Sequence, residues 1–504
     1  MVVRTGKPTR RHVIPLLAIT ILACLSWLHL RNIQDESSSL GDNSLEYTKP
    51  SRHQDDSLQD GIVSVDRAQG DSLDRDEAMR LVNQKYCGQD TCRFILPIVI
   101  TEQESKAQEH FRQIAYLSGF VNRTIVLPNV HTSHLGACRR KPFSFYYSYS
   151  WLNKNQHAFG YISMRNFNMW LKERNELDRS PVGQEVYLES NGNPNYLDLP
   201  NCFKNHMFID RPESHFYLED PEQFEKRQGN YTQLLTAALS DEARNQDYIN
   251  HFGMTEDKPP VVDVIQLYYD RRFSFIEDPR ADEPLSYSDT WTSLADKIAE
   301  QLEPFVAVHW RMERLSPLDN MILCAATSSS LISKSKSKSK SKQSLYSSSD
   351  ASETVIPNVF LLTDYPHLLT TSKAQPESMS FKLYQLAPEH HQAVKYVYER
   401  LNVTLTTLDQ GPDSIPYDEL PAQNWNILPI PPYADPVDTS ILGIIDKLIA
   451  MRAQWFLAGE PGVCGKPSSF TRRIVIERQM LYDAGDRKII LPEATFDLPD
   501  TEED

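Results

Sequence analysis

Val306-Ala307-Val308-His309-Trp310-Arg311-Met312-Glu313 is the stretch on which the fold turns. A short apolar run rich in β-branched residues reads as a buried strand. It ends in Arg311, at a position where a purely structural chain usually turns with Gly, Asn or Asp. His309 lies two residues before Arg311 and Glu313 two after it, so all three share one side of an extended chain. Glu313 is then placed to orient the guanidinium. Far downstream, the apolar run Trp455-Phe456-Leu457-Ala458-Gly459 is followed by Ser468-Ser469-Phe470-Thr471, which opens a helical pattern. A fixed guanidinium together with hydroxyls and backbone N–H groups at a helix start is what a diphosphate requires. The plainer alternatives are a salt-bridged surface arginine, a buried histidine satisfied by one hydrogen bond, and an ordinary serine N-cap.

Around these anchors apolar strands alternate with helices. In the second half strands are expected at Phe305–His309, Val359–Thr363, Val403–Thr406 and Trp455–Leu457. Helices are expected at Trp291–Gln301, Glu389–Leu401, Asp438–Arg452 and Ser468–Tyr482. The first half opens with a strand at Phe94–Ile100, a helix from Glu102 to Gly119 and a second strand at Arg123–Pro128. Such alternation implies parallel sheets flanked by helices, with ligands at the carboxyl ends of the strands. Thr363-Asp364 closes its strand as Arg311 does, and Asp364 is read either as a ligand to a base or ribose hydroxyl or as a cap for the next turn. Arg478, on the last helix, reads as surface charge. The Lys-Ser repeat from Ser333 to Lys342 buries no apolar area and reads as part of a low-complexity surface loop, residues 331–353.

The chain has 504 residues, room for two domains, and a net charge of −16, which excludes a general nucleic-acid binder. Arg4, Lys7, Arg10 and Arg11 precede an apolar run from Val13 to Leu30 with no acidic residue before Asp35. This predicts a cytosolic tail (1–12) and a signal anchor (13–30) with the remainder lumenal, and a cleaved signal peptide is the rival. Residues 31–75, rich in Asp, Ser and Gln, read as a disordered stem. Of the seven cysteines, Cys24 lies in the span. The other six (Cys87, Cys92, Cys138, Cys202, Cys324, Cys464) suit three disulfides, Cys87 with Cys92 among them, while zinc is the alternative. Sequons at Asn122, Asn230 and Asn402 fit a secretory route. The domains are expected at 76–285 and 286–490, with an acidic tail at 491–504.

The set His309-Trp310-Arg311-Met312-Glu313, Thr363-Asp364-Tyr365 and Ser468-Ser469-Phe470-Thr471 through Glu477-Arg478 resembles the GDP-fucose protein O-fucosyltransferase superfamily. Asn122-Arg123-Thr124-Ile125-Val126-Leu127-Pro128 is similar to a strand in that group's first half. The resemblance implies a GT-B-like α/β architecture, two Rossmann-like domains facing a cleft, behind a transmembrane helix and disordered stem. It implies an inverting, metal-independent enzyme of the endoplasmic reticulum or Golgi membrane. Fucose would pass from GDP-fucose, the donor substrate, to a hydroxyl acceptor on protein Ser/Thr or glycan, with no cofactor. On this resemblance Arg311 binds the diphosphate and stabilises the departing GDP, and His309 supports the nucleotide site. Asp364 contacts the guanosine, and Ser468, Ser469, Phe470 and Thr471 line the phosphate pocket. One departure is that the family's glycine-containing loop before the first helix is here Thr101-Glu102-Gln103-Glu104-Ser105; Glu102 and Glu104 sit where a general base would be useful, and equally suit the first turn of any helix. A glycosyltransferase using another nucleotide sugar, or an inactive lumenal scaffold that kept the fold, remain the alternatives.

Overall fold

The protein is described from a computed structural model. The described residues are 75–190, 200–209, 212–218, 231–253, 261–270, 275–276, 278–313, 315, 317–343, 358–370, 373–374, 381–408, 426–430 and 438–499. The expected tail, membrane span and nearly all of the stem, with Cys24 and Asn230, lie outside them. Among the described residues no helix is long and apolar enough to cross a membrane.

The first half begins with helix α1 (Arg75–Cys87) and strand β1 (Phe94–Ile100). All seven residues of β1 are buried, as a strand covered on both faces requires. Pro97 cannot donate to the ladder, and the register with its neighbour shifts between Pro97 and Val99. Helix α2 (Glu104–Phe120) follows. Then come β2 (Thr124–Val126), the hairpin β3 (Asn129–His131) and β4 (His134–Gly136), and β5 (Tyr161–Ile162). Helix α3 (Met164–Glu176), β6 (Gly183–Ser190), β7 (Ser214–Leu218) and β8 (Val264–Asp270) complete it. β1 pairs in parallel with β2 on one side and β8 on the other, and β6 and β7 continue beyond β8.

The second half runs from helix α4 (Asp289–Leu302) into β9 (Phe305–Trp310), α5 (Asn320–Gln343) and β10 (Asn358–Thr363). After the small hairpin β11 (Leu368–Thr370) and β12 (Lys373–Ala374) come α6 (Pro388–Arg400), β13 (Val403–Leu408) and β14 (Asn426–Ile430). The chain closes with α7 (Ser440–Arg452), β15 (Trp455–Gly459), α8 (Ser469–Asp483) and β16 (Leu491–Phe496). The sheet order is β14-β13-β10-β9-β15-β16, parallel throughout. The chain therefore winds outward from β9 in one direction, then returns to start again at β15 on the other side. That reversal is the topological switch point, where crossover loops part and leave a crevice at the carboxyl ends of the strands. In the first half the equivalent place lies between β1 and β8, and the Thr101 hydroxyl donates to Asp270 Oδ1 there at 2.8 Å.

The α/β expectation therefore holds, and all six lumenally assigned cysteines pair: Cys87–Cys92, Cys138–Cys202 and Cys324–Cys464. Three expectations are corrected. The low-complexity loop (331–353) is helical as far as Gln343, because α5 is anchored by the buried residues Met321, Cys324, Ala325, Ser328 and Ile332. Once a helix is nucleated, lysine propagates it at little cost; residues 344–353 lie outside the described set. The acidic tail (491–504) begins as β16, paired in parallel with β15. Arg478 is fully buried instead of lying on the surface. Its guanidinium donates to the carbonyls of Ala450, Ala453, Leu491 and Pro492, tying α7 and β16 to α8.

Candidate functional site

A cleft of about 990 Å³ opens at the carboxyl ends of the strands, and both halves line it. From the second half come His309, Arg311, Asp364, Asp446, Lys466 and Ser468 to Phe470; from the first come Glu102 to Lys106 and the tip of the β3–β4 hairpin. Every candidate site residue except Thr471 lies on this wall, and Thr471 is one hydrogen bond behind it.

Arg311 leaves β9 at the switch point. Its Nε and Nη2 donate to Glu313 Oε2 at 3.1 and 2.5 Å, and Nη1 donates to the Pro467 carbonyl at 3.3 Å. Glu313 thus orients it, as the alternating pattern implied. The turn after β9 is held by Asp364, whose two oxygens accept from the N–H groups of Met312 (2.8 Å) and Glu313 (3.1 Å). Burial pushes the Asp364 carboxyl up to about 6 against the pull of those donors. Asp364 therefore holds the turn after β9, not the turn after its own strand, and it also lines the cleft.

His309 is buried and stacks on Phe470 at 5.1 Å, with Nδ1 2.8 Å from the Thr471 hydroxyl. Burial, reinforced by the Arg311 charge, lowers its titration to about 3, so the imidazole is neutral at physiological pH. Ser468 has extended backbone and caps α8, its Oγ accepting from Thr471 N at 3.5 Å. The first-turn N–H groups of Ser469 and Phe470 have no intrahelical acceptor and are available to an anion. The loop before them is shaped by close backbone packing. A Cβ on Gly459 would meet the Cys464 carbonyl oxygen at 2.4 Å, and one on Gly465 would meet that of Gly459 at 2.5 Å. Only glycine fits either position, and the Cys324–Cys464 disulfide fixes the same loop to α5.

The two candidate bases separate. Glu102 sits between β1 and α2 with φ +75°, a left-handed conformation that costs an ordinary residue about 1–2 kcal/mol. Its carbonyl is held 3.0 Å from His134 Nδ1 and its residue faces the cleft. Glu104 is different. Its carboxylate forms a buried ion pair with Lys447 and accepts from the hydroxyls of Tyr147 (2.8 Å) and Tyr287 (3.1 Å). Burial pushes its titration up, but Lys447 and the Tyr147 hydroxyl outweigh that and hold it below the ordinary carboxylate range. These contacts make Glu104 a clasp between the first and second halves, at a position that also borders the cleft.

Three cleft residues escaped the sequence reading. Asp446 and Lys447 are adjacent charges inside the apolar run of α7, which was itself a signal. Asp446 accepts from the Thr406 hydroxyl, and burial raises its carboxyl to about 7. Lys466 precedes the serine motif by two residues and reaches Glu313 Oε1 at 3.1 Å.

No protein-family profile matches the sequence, and no curated protein matches it either. Among solved structures, POFUT1 in complex with GDP-fucose aligns with a TM-score of 0.40 at 13% identity, covering 80% of this chain and 98% of that one. NodZ α-1,6-fucosyltransferase co-crystallized with GDP gives 0.27 at 11% identity, covering 76% and 92%. The fucosyltransferase NodZ from Bradyrhizobium gives 0.27 at 10% identity, with the same coverage. These similarities assign no activity to this chain, and function is argued below from its own residues.

Proposed function

We propose that the chain is a GT-B-type glycosyltransferase that transfers fucose from GDP-fucose to a hydroxyl acceptor with inversion. The observation that carries this is the meeting of Arg311 and the Ser468-capped start of α8 at the β9/β15 switch point, which makes a diphosphate cradle on the cleft wall. In the reaction the acceptor hydroxyl oxygen attacks the sugar's anomeric carbon from the face opposite the diphosphate. The C1–O bond to the β-phosphate breaks, and GDP departs with the electron pair. Arg311 and the α8 N–H groups receive the charge that develops on the leaving oxygen, where preorganised donors lower the barrier most. This removes the need for a metal. Glu102, which borders the cleft from the first half, takes the acceptor proton. Neutral His309, buttressed by Thr471 and Phe470, backs the nucleotide. Asp446 supplies a carboxylate for the paired N1–H and amino donors of guanine, an edge that uracil lacks.

The test is thermal unfolding of the full-length protein with GDP or UDP, since a ligand that binds only the folded state raises its melting temperature. GDP should raise it and UDP should not. Equal stabilisation by UDP would leave a nucleotide-sugar enzyme with no claim on fucose. The acceptor is proposed to be protein Ser/Thr or glycan, and the address a single-pass membrane anchor in the endoplasmic reticulum or Golgi. Asn122 and Asn402 are exposed and open to glycosylation there. Unchanged gel mobility after glycosidase treatment of protein from a secretory host would count against that address.

A further inference from the structure

Glu313 is buried, yet two cations share it. Its Oε2 accepts from Arg311, and its Oε1 accepts from Lys466 at 3.1 Å. One oxygen is thereby assigned to each cation. The backbone N–H of Glu313 is held by Asp364, so the carboxylate is fixed from its own main chain as well. Two positive groups against one negative leave a net positive charge on these three side chains, at the cleft wall.

The partners differ in how far they are committed. Arg311 is bound three times, twice to Glu313 and once to the Pro467 carbonyl, and only 22% of its side chain is exposed. Among the described residues Lys466 makes this single ion pair, on a flexible four-carbon stem, with 35% of its side chain exposed. Its backbone is the better-anchored part: Cys464 is cross-linked to Cys324, and Gly465 packs so closely on Gly459 that a Cβ there would meet the Gly459 carbonyl oxygen at 2.5 Å. The ammonium is therefore a mobile charge on a fixed base. A guanidinium suits planar, two-point recognition of one phosphate, whereas an ammonium acts as a point charge that follows its anion.

We infer that Lys466 is a second phosphate-binding residue of the cleft, held on Glu313 when the site is empty and transferred to the distal phosphate of a diphosphate. The inference rests on the diphosphate-cradle reading above and deepens it by assigning the two cations to two phosphates. Arg311, once relieved of sharing, keeps the whole of Glu313. The site thereby distinguishes a diphosphate from a monophosphate by the charge it can call on.

Inorganic pyrophosphate and orthophosphate are the probes, titrated calorimetrically into the purified full-length protein at fixed ionic strength. Wild type should bind pyrophosphate more tightly than orthophosphate. Lys466→Met should weaken pyrophosphate about tenfold, the scale of one lost charge-assisted hydrogen bond, and change orthophosphate less than twofold. Lys466→Arg should restore most of the difference. Unfolding temperature should not change in either variant, because Glu313 retains Arg311. A pyrophosphate-to-orthophosphate ratio unaltered by Lys466→Met, or absent from wild type, overturns the assignment. The probes carry no base, so a failure of GDP over UDP would end the guanine reading and leave this one standing; the converse also holds.

Discussion

The Lys447 ammonium and the Glu104 carboxylate pair where the two halves meet, and both are almost wholly buried, with side-chain exposures of 2% and 5%. Lys447 also donates to the Ser105 hydroxyl at 2.8 Å, and Tyr147 and Tyr287 complete the shell around Glu104. The pair joins α7, which carries Asp446 on the cleft, to the first turn of α2, which follows Glu102. The two walls of the cleft are thus pinned at one point.

Removing one partner of a buried pair strands the other charge. Lys447→Ala and Glu104→Gln should each destabilise the protein by about 3–5 kcal/mol. The double replacement Glu104→Leu with Lys447→Met should recover most of that loss, since no charge is left without a partner. Chemical denaturation of the four proteins checks this. Lys447→Ala as stable as wild type would show that the pair does not hold the halves.

Arg311 lies on the cleft wall, not in a core. Arg311→Ala and Arg311→Lys should lower fucosyl transfer from GDP-fucose about a hundredfold to a thousandfold, the range for loss of a group that stabilises leaving charge. The melting temperature should change little, because Glu313 keeps Lys466 as a partner. Lysine cannot reproduce the two-point geometry, so its failure is part of the prediction. A folded Arg311→Ala protein with full transfer would remove the proposed role.

Asp446 gives the stability a pH dependence of known sign. Its folded value is raised from 3.8 to about 7 by burial. Below pH 4 both folded and unfolded chains hold the proton and there is no difference. Between about pH 4 and pH 7 the unfolded chain releases it first, so this residue lowers stability as pH rises, with a plateau above pH 7. Asp446→Asn removes the slope. The variant's melting temperature should therefore gain on wild type from pH 4 to pH 7, and a difference independent of pH would exclude the shift.

What was legible in the sequence was local. β1 and β9 are apolar runs bounded by polar residues, and the Arg311 and Ser468 elements announce themselves by breaking a strand-end rule and by a capping signature. Contacts set by the fold were not legible. Glu104 and Lys447 stand 343 residues apart, and although Lys447 is conspicuous in the apolar run of α7, nothing local names Glu104 as its partner. The switch point at β9/β15 needed the strand order, which alternation of elements does not reveal. Composition misled at α5, where the helix anchored by Met321, Cys324 and Ile332 runs on into the Lys-Ser repeat as far as Gln343. It misled again at Leu491–Phe496, where the acidic residues from Asp497 onward drew an edge strand into the tail.

The distribution of the disulfides carries a consequence for biosynthesis. Cys87–Cys92 and Cys138–Cys202 close within the first half, and Cys324–Cys464 within the second. Each half is cross-linked by its own cysteines, so neither set of bridges waits for the other, and the half made first can fold first. Glu104 then waits with its tyrosines for a lysine that emerges hundreds of residues later. Docking of the finished second half is what satisfies it. A chain whose second half fails to fold leaves that carboxylate stranded and the junction exposed.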